Sequence, residues 1–123
     1  MAYKYEALRK AVLFIEENYM NHISLSDIIG AAGADHSTLT ELLKSSTGMT
    51  AMQYLMNHRV IVAKKYLVYT DMPIKTVAMQ CGFKTVQHFS RVFKAHVGDT
   101  PALFRKSTVQ KRHEELSKRI DDR

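Results

Sequence analysis

The sequence contains few of the residues that cross-link or break a fold. There is a single cysteine, Cys81, together with two prolines, five glycines and no tryptophan among 123 residues. One cysteine cannot form a disulfide within the chain, which is typical of a protein from a reducing compartment. The apolar runs fall well short of the roughly 20 residues that span a bilayer, and the first ten residues lack the apolar stretch of a signal peptide. We therefore expect a cytoplasmic protein with no membrane segment.

Patterns that would indicate metal binding or catalysis are also missing. The six histidines form no H-E-x-x-H motif and no pair four residues apart, and one cysteine is too few for a zinc ribbon or zinc finger. Neither a glycine-rich phosphate loop nor a nucleophile elbow is present. The sequence thus predicts no catalytic residue, no metal site, no cofactor and no enzymatic activity. Cys81 is expected to be a small core residue.

Positive charge is abundant and is concentrated in one part of the chain. The net charge is +6. Residues 64–112 carry ten Lys and Arg against two Asp, whereas the segments before and after them each carry one more acidic than basic residue. A cluster of basic residues predicts an anionic partner, and its position predicts that the second half of the chain makes more of the contact.

Apolar residues recur at helical spacing along most of the chain, which predicts an all-α fold. Seven helices are expected, over residues 5–19, 25–32, 36–46, 51–69, 74–81, 86–96 and 102–106. Ser24 and Asp27 have the spacing of a capping box, and Asp35 and Thr85 are further N-cap candidates. The highly charged segment 107–123 suits either a helical extension or a mobile tail.

One pattern occurs twice. Residues 25–33 form an apolar stretch that ends in Gly33, and Leu39, Leu43 and Gly48 follow. Residues 74–82 repeat this arrangement, with an offset of 49 before the turn and 50 after it. Each copy predicts a helix, a glycine turn and a second helix with an apolar i, i+4 face, which is a helix-turn-helix arrangement. Taken alone, the same pattern also suits two helical hairpins packed as a bundle.

The second copy carries a more specific resemblance. Residues 82–94, GFKTVQHFSRVFK, are followed by Gly98-Asp-Thr-Pro101 and the pair Phe104-Arg105. This order resembles the signature of the AraC/XylS family of transcription regulators, and the likeness extends over about residues 7–106. It implies two helix-turn-helix lobes, at 1–50 and 70–107, joined by a linker helix at 51–69 and followed by a charged tail at 108–123. The chain is similar to the short members of the family or to an excised DNA-binding domain.

The resemblance also implies a mode of action. A monomer inserts both recognition helices into adjacent major-groove segments of double-stranded DNA. Many members activate transcription by contacting RNA polymerase, which is thus an expected partner. A rival interpretation is an interaction protein that uses the same scaffold to bind a protein and has little affinity of its own for DNA. Salt-sensitive binding to duplex DNA distinguishes the two.

Candidate DNA contacts in the second copy lie on the polar side of the recognition helix. Gln87 is suited to adenine, and Arg91 to guanine or phosphate. Val86 is suited to a thymine methyl group, and His88 to phosphate or a base edge. The phosphate candidates are flexible cations that position the protein without reading sequence. The full set in this copy is Lys84, Thr85, Val86, Gln87, His88, Arg91 and Lys94.

The first copy departs from the family pattern. Its candidate contacts are Ser37, Thr38, Thr40, Glu41 and Lys44. Glu41 stands where the family often carries Arg, as at Arg91, and an acid repels phosphate unless it accepts a hydrogen bond from cytosine N4. We therefore expect the first copy to contribute less affinity and looser specificity.

Several other basic residues have two alternative predicted roles each. Arg59 resembles a family position that either braces a lobe through a salt bridge or touches phosphate. A further group is suited to the phosphate rim or to ordinary solubilising surface charge: Lys64, Lys65, Lys75, Arg105 and Lys106.

Overall fold

The computed structural model describes residues 2–121, and within that range it contains seven helices and no strand. They are α1 (Ala2–Asn18), α2 (Leu25–Ala32), α3 (His36–Thr47), α4 (Ala51–Tyr69), α5 (Ile74–Gln80), α6 (Val86–Val97) and α7 (Pro101–Asp121). The predicted all-α fold is confirmed. The largest difference from the sequence-based bounds is α7, which continues to Asp121 instead of ending near residue 106. Of the two alternatives predicted for the charged segment that begins at residue 107, the structure thus has the helical extension, as far as Asp121. The last two residues of the predicted tail, 122 and 123, lie outside the described range.

Contacts divide the chain into two compact units, one up to Arg59 and one from Val60 onward, so the boundary falls within α4. The core of the first unit is aliphatic. Each of its four helical segments contributes two buried residues, namely Ala11, Ile15, Ile28, Ala32, Leu39, Leu43, Ala51 and Leu55. Within each helix the pair is spaced by four residues, which places both side chains on one face.

Local caps set the helix ends of the first unit. The Ser24 hydroxyl accepts from the Asp27 amide at 3.1 Å, and the Asp27 carboxylate accepts from the Ser24 amide at 2.8 Å. These two bonds confirm the predicted capping box. Gly33 ends α2 with a φ of 69°, a left-handed conformation that an L residue adopts only at a cost, and Asp35 then caps α3.

The core of the second unit combines aliphatic residues such as Leu67 and Val77 with a series of phenylalanines. Phe83, Phe89 and Phe93 are buried in sequence order, with ring centroids 5.2 and 5.7 Å apart, and Phe104 continues the series 5.4 Å from Phe93. These tilted and edge-to-face arrangements are the ones that aromatic pairs prefer. Cys81 is also fully buried, which confirms it as a core residue.

The turn of the second unit differs slightly from the expected one. α5 begins directly after Pro73, as predicted, but ends at Gln80 and not at residue 81. Gly82 has a φ of 93°, and this left-handed turn lets the Phe83 amide donate to the Ala78 carbonyl at 3.0 Å. The Phe83 side chain thereby enters the core directly before α6 begins.

An arginine performs the same task in each unit. Arg59 donates to the carbonyls of Tyr19 and Asn21, both at 2.8 Å, just beyond the end of α1. Arg105 donates to the carbonyls of Leu67 and Thr70 at the end of α4, at 3.0 and 3.3 Å. Both guanidinium groups thus donate to backbone carbonyls at or just beyond a helix end, where the helix itself supplies no donor. Arg59 thus braces the first unit through hydrogen bonds to backbone carbonyls, whereas the predicted bracing was through a salt bridge.

The extended part of α7 is held by a further arginine. Arg112 donates to the Val68 carbonyl at 2.8 Å, and its guanidinium carbon lies 5.5 Å from the centroid of the Tyr69 ring. This cation–π contact and hydrogen bond attach α7 to the last turn of α4. No described helix is both long enough and apolar enough to cross a membrane.

Candidate functional site

The predicted recognition helices α3 and α6 are built alike. Both have 12 residues, both begin after a residue whose side chain accepts a hydrogen bond from the third helical amide, and both end at a glycine of positive φ. Each buries a pair four residues apart, Leu39 with Leu43 and Phe89 with Phe93. The face opposite each buried pair is consequently presented to solvent on a firmly held helix.

The exposed face of α6 carries a row of polar side chains. Gln87, Arg91 and Lys94 are all exposed and follow one another at intervals of four and three residues, so they lie along one side of the helix. Lys84 is exposed in the turn that precedes α6. The row combines one amide, which can make a bidentate contact with adenine, with cations suited to guanine or phosphate.

Three predicted contacts at the start of α6 also have structural roles or are partly covered. The Thr85 hydroxyl accepts from the His88 amide at 3.1 Å and so caps the helix. The His88 ring is half-buried and stands edge-on to Phe83, with centroids 5.5 Å apart. Val86 is half-buried. Thr85 and His88 therefore orient the first turn of α6 with respect to the turn that precedes it.

The first unit presents an equivalent row with different chemistry. Ser37, Glu41 and Lys44 are exposed and stand 50 positions before the three residues of the α6 row. Where α6 has an amide and two cations, α3 has a hydroxyl, a carboxylate and one cation. The row of α3 is thus electrically near neutral, whereas that of α6 is positive.

The two threonines of α3 are less accessible than its exposed row. Thr38 and Thr40 are both half-buried. The Thr38 amide and hydroxyl donate to the Asp35 carboxylate at 2.8 and 3.1 Å. These two bonds, the amide first, hold the pKa of Asp35 below its ordinary value. Thr38 therefore serves the N-cap of α3 as well as lining its outer face.

Nothing in the sequence indicated that α1 contributes to the surface beside the outer face of α3. An open groove of about 620 Å³ runs beside the outer face of α3, and its lining combines residues of α3 with Lys4 from the first turn of α1. The Tyr3 hydroxyl donates to the Gly33 carbonyl at 3.3 Å, between residues 30 positions apart. The predicted first helix began at residue 5, so this turn lay outside it.

The chain resembles proteins of known family along most of its length. A family model described as a helix-turn-helix domain matches residues 28–107. The transcriptional activator NphR of Rhodococcus sp is 37% identical over 102 residues, which cover 82% of this chain and 30% of NphR. The transcriptional activator AarP of Providencia stuartii is 30% identical over 100 residues, which cover 81% of this chain and 74% of AarP.

A solved structure agrees with these relatives. The crystal structure of a transcriptional regulator from Chromobacterium violaceum, of the AraC-type DNA-binding-domain proteins, is 28% identical with a TM-score of 0.79. The match covers 89% of this chain and 98% of that one. The chain spans less than a third of NphR but most of AarP. The match to the family model, the identity to AarP and the likeness to this solved structure agree with the two helix-turn-helix units. The chain therefore belongs to the AraC/XylS family of DNA-binding transcription regulators.

Proposed function

We propose that this chain binds specific sites in double-stranded DNA with α3 and α6 in adjacent major-groove segments, and that it activates transcription there. The observation that carries the proposal is the exposed row of Gln87, Arg91 and Lys94 on a helix anchored by two buried phenylalanines. In this proposal residues 1–50 and 70–107 form the two DNA-binding lobes and α4 links them. The names of NphR and AarP, both called activators, support activation over repression.

The proposal gives the α6 row distinct tasks. Gln87 offers an amide oxygen and an amide nitrogen, which match the N6 donor and N7 acceptor of adenine. Arg91, one turn further along, offers the forked donors that guanine O6 and N7 accept. Lys94 and Lys84 contact phosphates, and these contacts supply affinity and salt dependence rather than sequence preference. Val86 packs on a thymine methyl group.

The first lobe makes a weaker contribution in this proposal. Ser37 and Thr40 offer short hydroxyls that discriminate little between bases. Glu41 accepts a hydrogen bond from cytosine N4. A carboxylate can only accept, and the exocyclic donors in the major groove are the amino groups of cytosine and adenine. Substituting Gln87 should therefore reduce specific affinity more than substituting Thr40 or Glu41 by alanine.

Two measurements test DNA recognition. Selection from random duplexes is expected to enrich one sequence with two half-sites about one helical turn apart, and a single half-site would show that only one helix reads bases. Binding of the enriched duplex is then titrated against salt. If about six phosphates are contacted, log affinity should fall with log salt at a slope near −5.

A charge-reversal pair locates the surface. The double variant Arg91→Glu, Lys94→Glu is expected to lose at least a hundredfold in affinity and to flatten the salt slope by at least about 0.9, because the phosphate contact of Lys94 disappears together with the guanine contact of Arg91. Its matched control is Lys111→Glu, Lys118→Glu, which makes the same change in net charge on the exposed part of α7. If the two double variants had the same affinity and salt slope, or if the α6 variant lost no affinity, α6 would be excluded as the DNA-binding helix.

The regulatory step needs a separate assay. In this proposal a monomer of the protein occupies each site. Run-off transcription with purified bacterial RNA polymerase is expected to increase when the enriched site lies upstream of a weak promoter. Unchanged or reduced transcription would contradict activation. If the protein bound polymerase but showed no salt-sensitive affinity for duplex DNA, it would be an interaction protein instead. Its place of action under this proposal is the cytoplasm, at the nucleoid.

A further inference from the structure

The groove beside α3 brings a cation from α1 onto the predicted DNA-binding face. Its lining consists of Lys4 from α1 and Thr38, Glu41, Leu42, Lys44 and Ser45 from α3. Three of these, Thr38, Glu41 and Lys44, are candidate DNA contacts from the sequence. Lys4 is exposed, so its ammonium group can reach a ligand that lies along the outer side of α3.

The first turn of α1 is held in place beside this groove. The hydrogen bond from the Tyr3 hydroxyl to the Gly33 carbonyl joins that turn to the turn between α2 and α3. Further along α1, Ala7, Ala11 and Ile15 are buried, so the helix is packed on the core of the first unit. Lys4 is therefore carried by a packed helix whose position relative to α3 is set by the fold.

The acidic residues of the first unit are mostly directed to partners elsewhere. Glu6 forms an ion pair with Arg9 at 2.9 Å, and Glu16 accepts from the Tyr54 hydroxyl at 3.3 Å. Asp27 and Asp35 serve as helix caps. Glu41 is the acid that lines the groove, and it shares that lining with two lysines. The local balance on this face is thus positive, although residues 1–63 as a whole carry one more acid than base.

We infer that Lys4 is a DNA-contacting residue, and that the binding surface of the first unit extends from α3 onto the first turn of α1. Lys4 and Lys44, which share the groove lining with Glu41, bind backbone phosphates. Because the two ammonium groups offset the repulsion between that carboxylate and the DNA backbone, α3 can enter the major groove with an acid on its outer face. This inference rests on the proposed DNA binding and assigns a contact that lies outside both helix-turn-helix motifs.

The test removes one charge from each of two exposed lysines on the same helix. Lys4→Gln is expected to weaken binding to the enriched duplex several-fold at low salt and to reduce the magnitude of the salt slope by about 0.9, the amount for one phosphate contact. Lys10→Gln, which removes the same charge outside the groove lining, should leave the slope unchanged. Lys4→Arg retains a cation and should restore the wild-type slope.

The outcomes separate this inference from the proposed function. If the wild-type protein binds with a steep slope but Lys4→Gln behaves like Lys10→Gln, the role of Lys4 is overturned while DNA binding stands. If the wild-type protein shows no salt-dependent duplex binding, both fall together. Base preference measured by selection should be the same for wild type and Lys4→Gln, because a phosphate contact carries no sequence information. A changed preference would contradict the assignment of Lys4 to phosphate.

Discussion

Replacing Arg59 with leucine should destabilise the first unit strongly. The Arg59 side chain is only 5% exposed, and its guanidinium donates two hydrogen bonds of 2.8 Å to backbone carbonyls. A hydrogen bond from a charged group contributes about 1.5–3 kcal/mol, so two contribute about 3–6 kcal/mol. Asn21 is exposed and its carbonyl can be rehydrated, while leucine retains part of the packing. We therefore expect a loss near the lower end, about 3 kcal/mol.

That loss is comparable with the whole stability of the unit. A domain of about 60 residues has a free energy of unfolding of about 3–9 kcal/mol at 0.05–0.15 kcal/mol per residue. Native-state hydrogen exchange at the amides of α1, α2 and α3 measures this free energy for the first unit separately from the second. Arg59→Lys should lose about half as much, because one ammonium group cannot reach both carbonyls in the fixed geometry of the guanidinium fork.

The control is Lys65→Leu, which removes a cation from an exposed position of α4 and should change stability by less than about 0.5 kcal/mol. The reasoning would be refuted if Arg59→Leu exchanged at the wild-type rate in α1 to α3. If Arg59→Leu instead kept full stability and reduced the magnitude of the salt slope in DNA binding by about 0.9, Arg59 would be a phosphate contact rather than a brace.

Three further outcomes follow from individual contacts. Thr85→Ala should lower the stability of the second unit by about 1 kcal/mol in urea unfolding, because the His88 amide loses its acceptor, and Thr85→Ser should restore it. Arg112→Ala should increase amide exchange in residues 110–121 while leaving α6 protected, since Arg112 attaches that part of α7 to α4. The pKa of Asp35 is lowered in the folded state, so the stabilising effect of its carboxylate is fully present above the ordinary aspartate pKa of about 3.9. The effect is lost as the pH falls through the lower pKa of the folded state. Melting temperatures between pH 5 and pH 2 should therefore fall less steeply for Asp35→Asn than for wild type, and an equal fall would show that the cap does not depend on the charge.

Helix bounds could be predicted well wherever a local signal marks both ends. The predicted bounds of α2 and α4 agree with the structure at both termini. For α2 the reason is visible in the capping box of Ser24 and Asp27 and in the left-handed Gly33, because each involves residues at most a few positions apart. The far end of α7 could not be placed in the same way. Its helix passes through a charged segment with few apolar residues, and its attachment through Arg112 involves residues 44 positions apart.

The candidate site likewise combines features that local sequence predicts with features that depend on the tertiary structure. The rows on α3 and α6 could be predicted because an apolar pair four residues apart defines the buried face, and the opposite face follows from helical geometry. The half-buried state of His88 and the cap role of Thr38 could be seen only once side chains were in place. Lys4 could not be assigned to this surface at all, because nothing near it in the chain points to α3.

The amino-acid sequence by itself determined the seven helices, the repeated helix-turn-helix pattern, the buried faces and the family, because these depend on periodicity, caps and motif spacing within short stretches of chain. Tertiary structure alone decided which of the cations outside the two rows serve the fold. Arg59, Arg105 and Arg112 are directed to backbone carbonyls, whereas Arg91 and Lys94 are exposed. The physical reason is that a guanidinium group pairs with whichever acceptors the folded chain places within reach, and those acceptors lie 35 to 44 positions away.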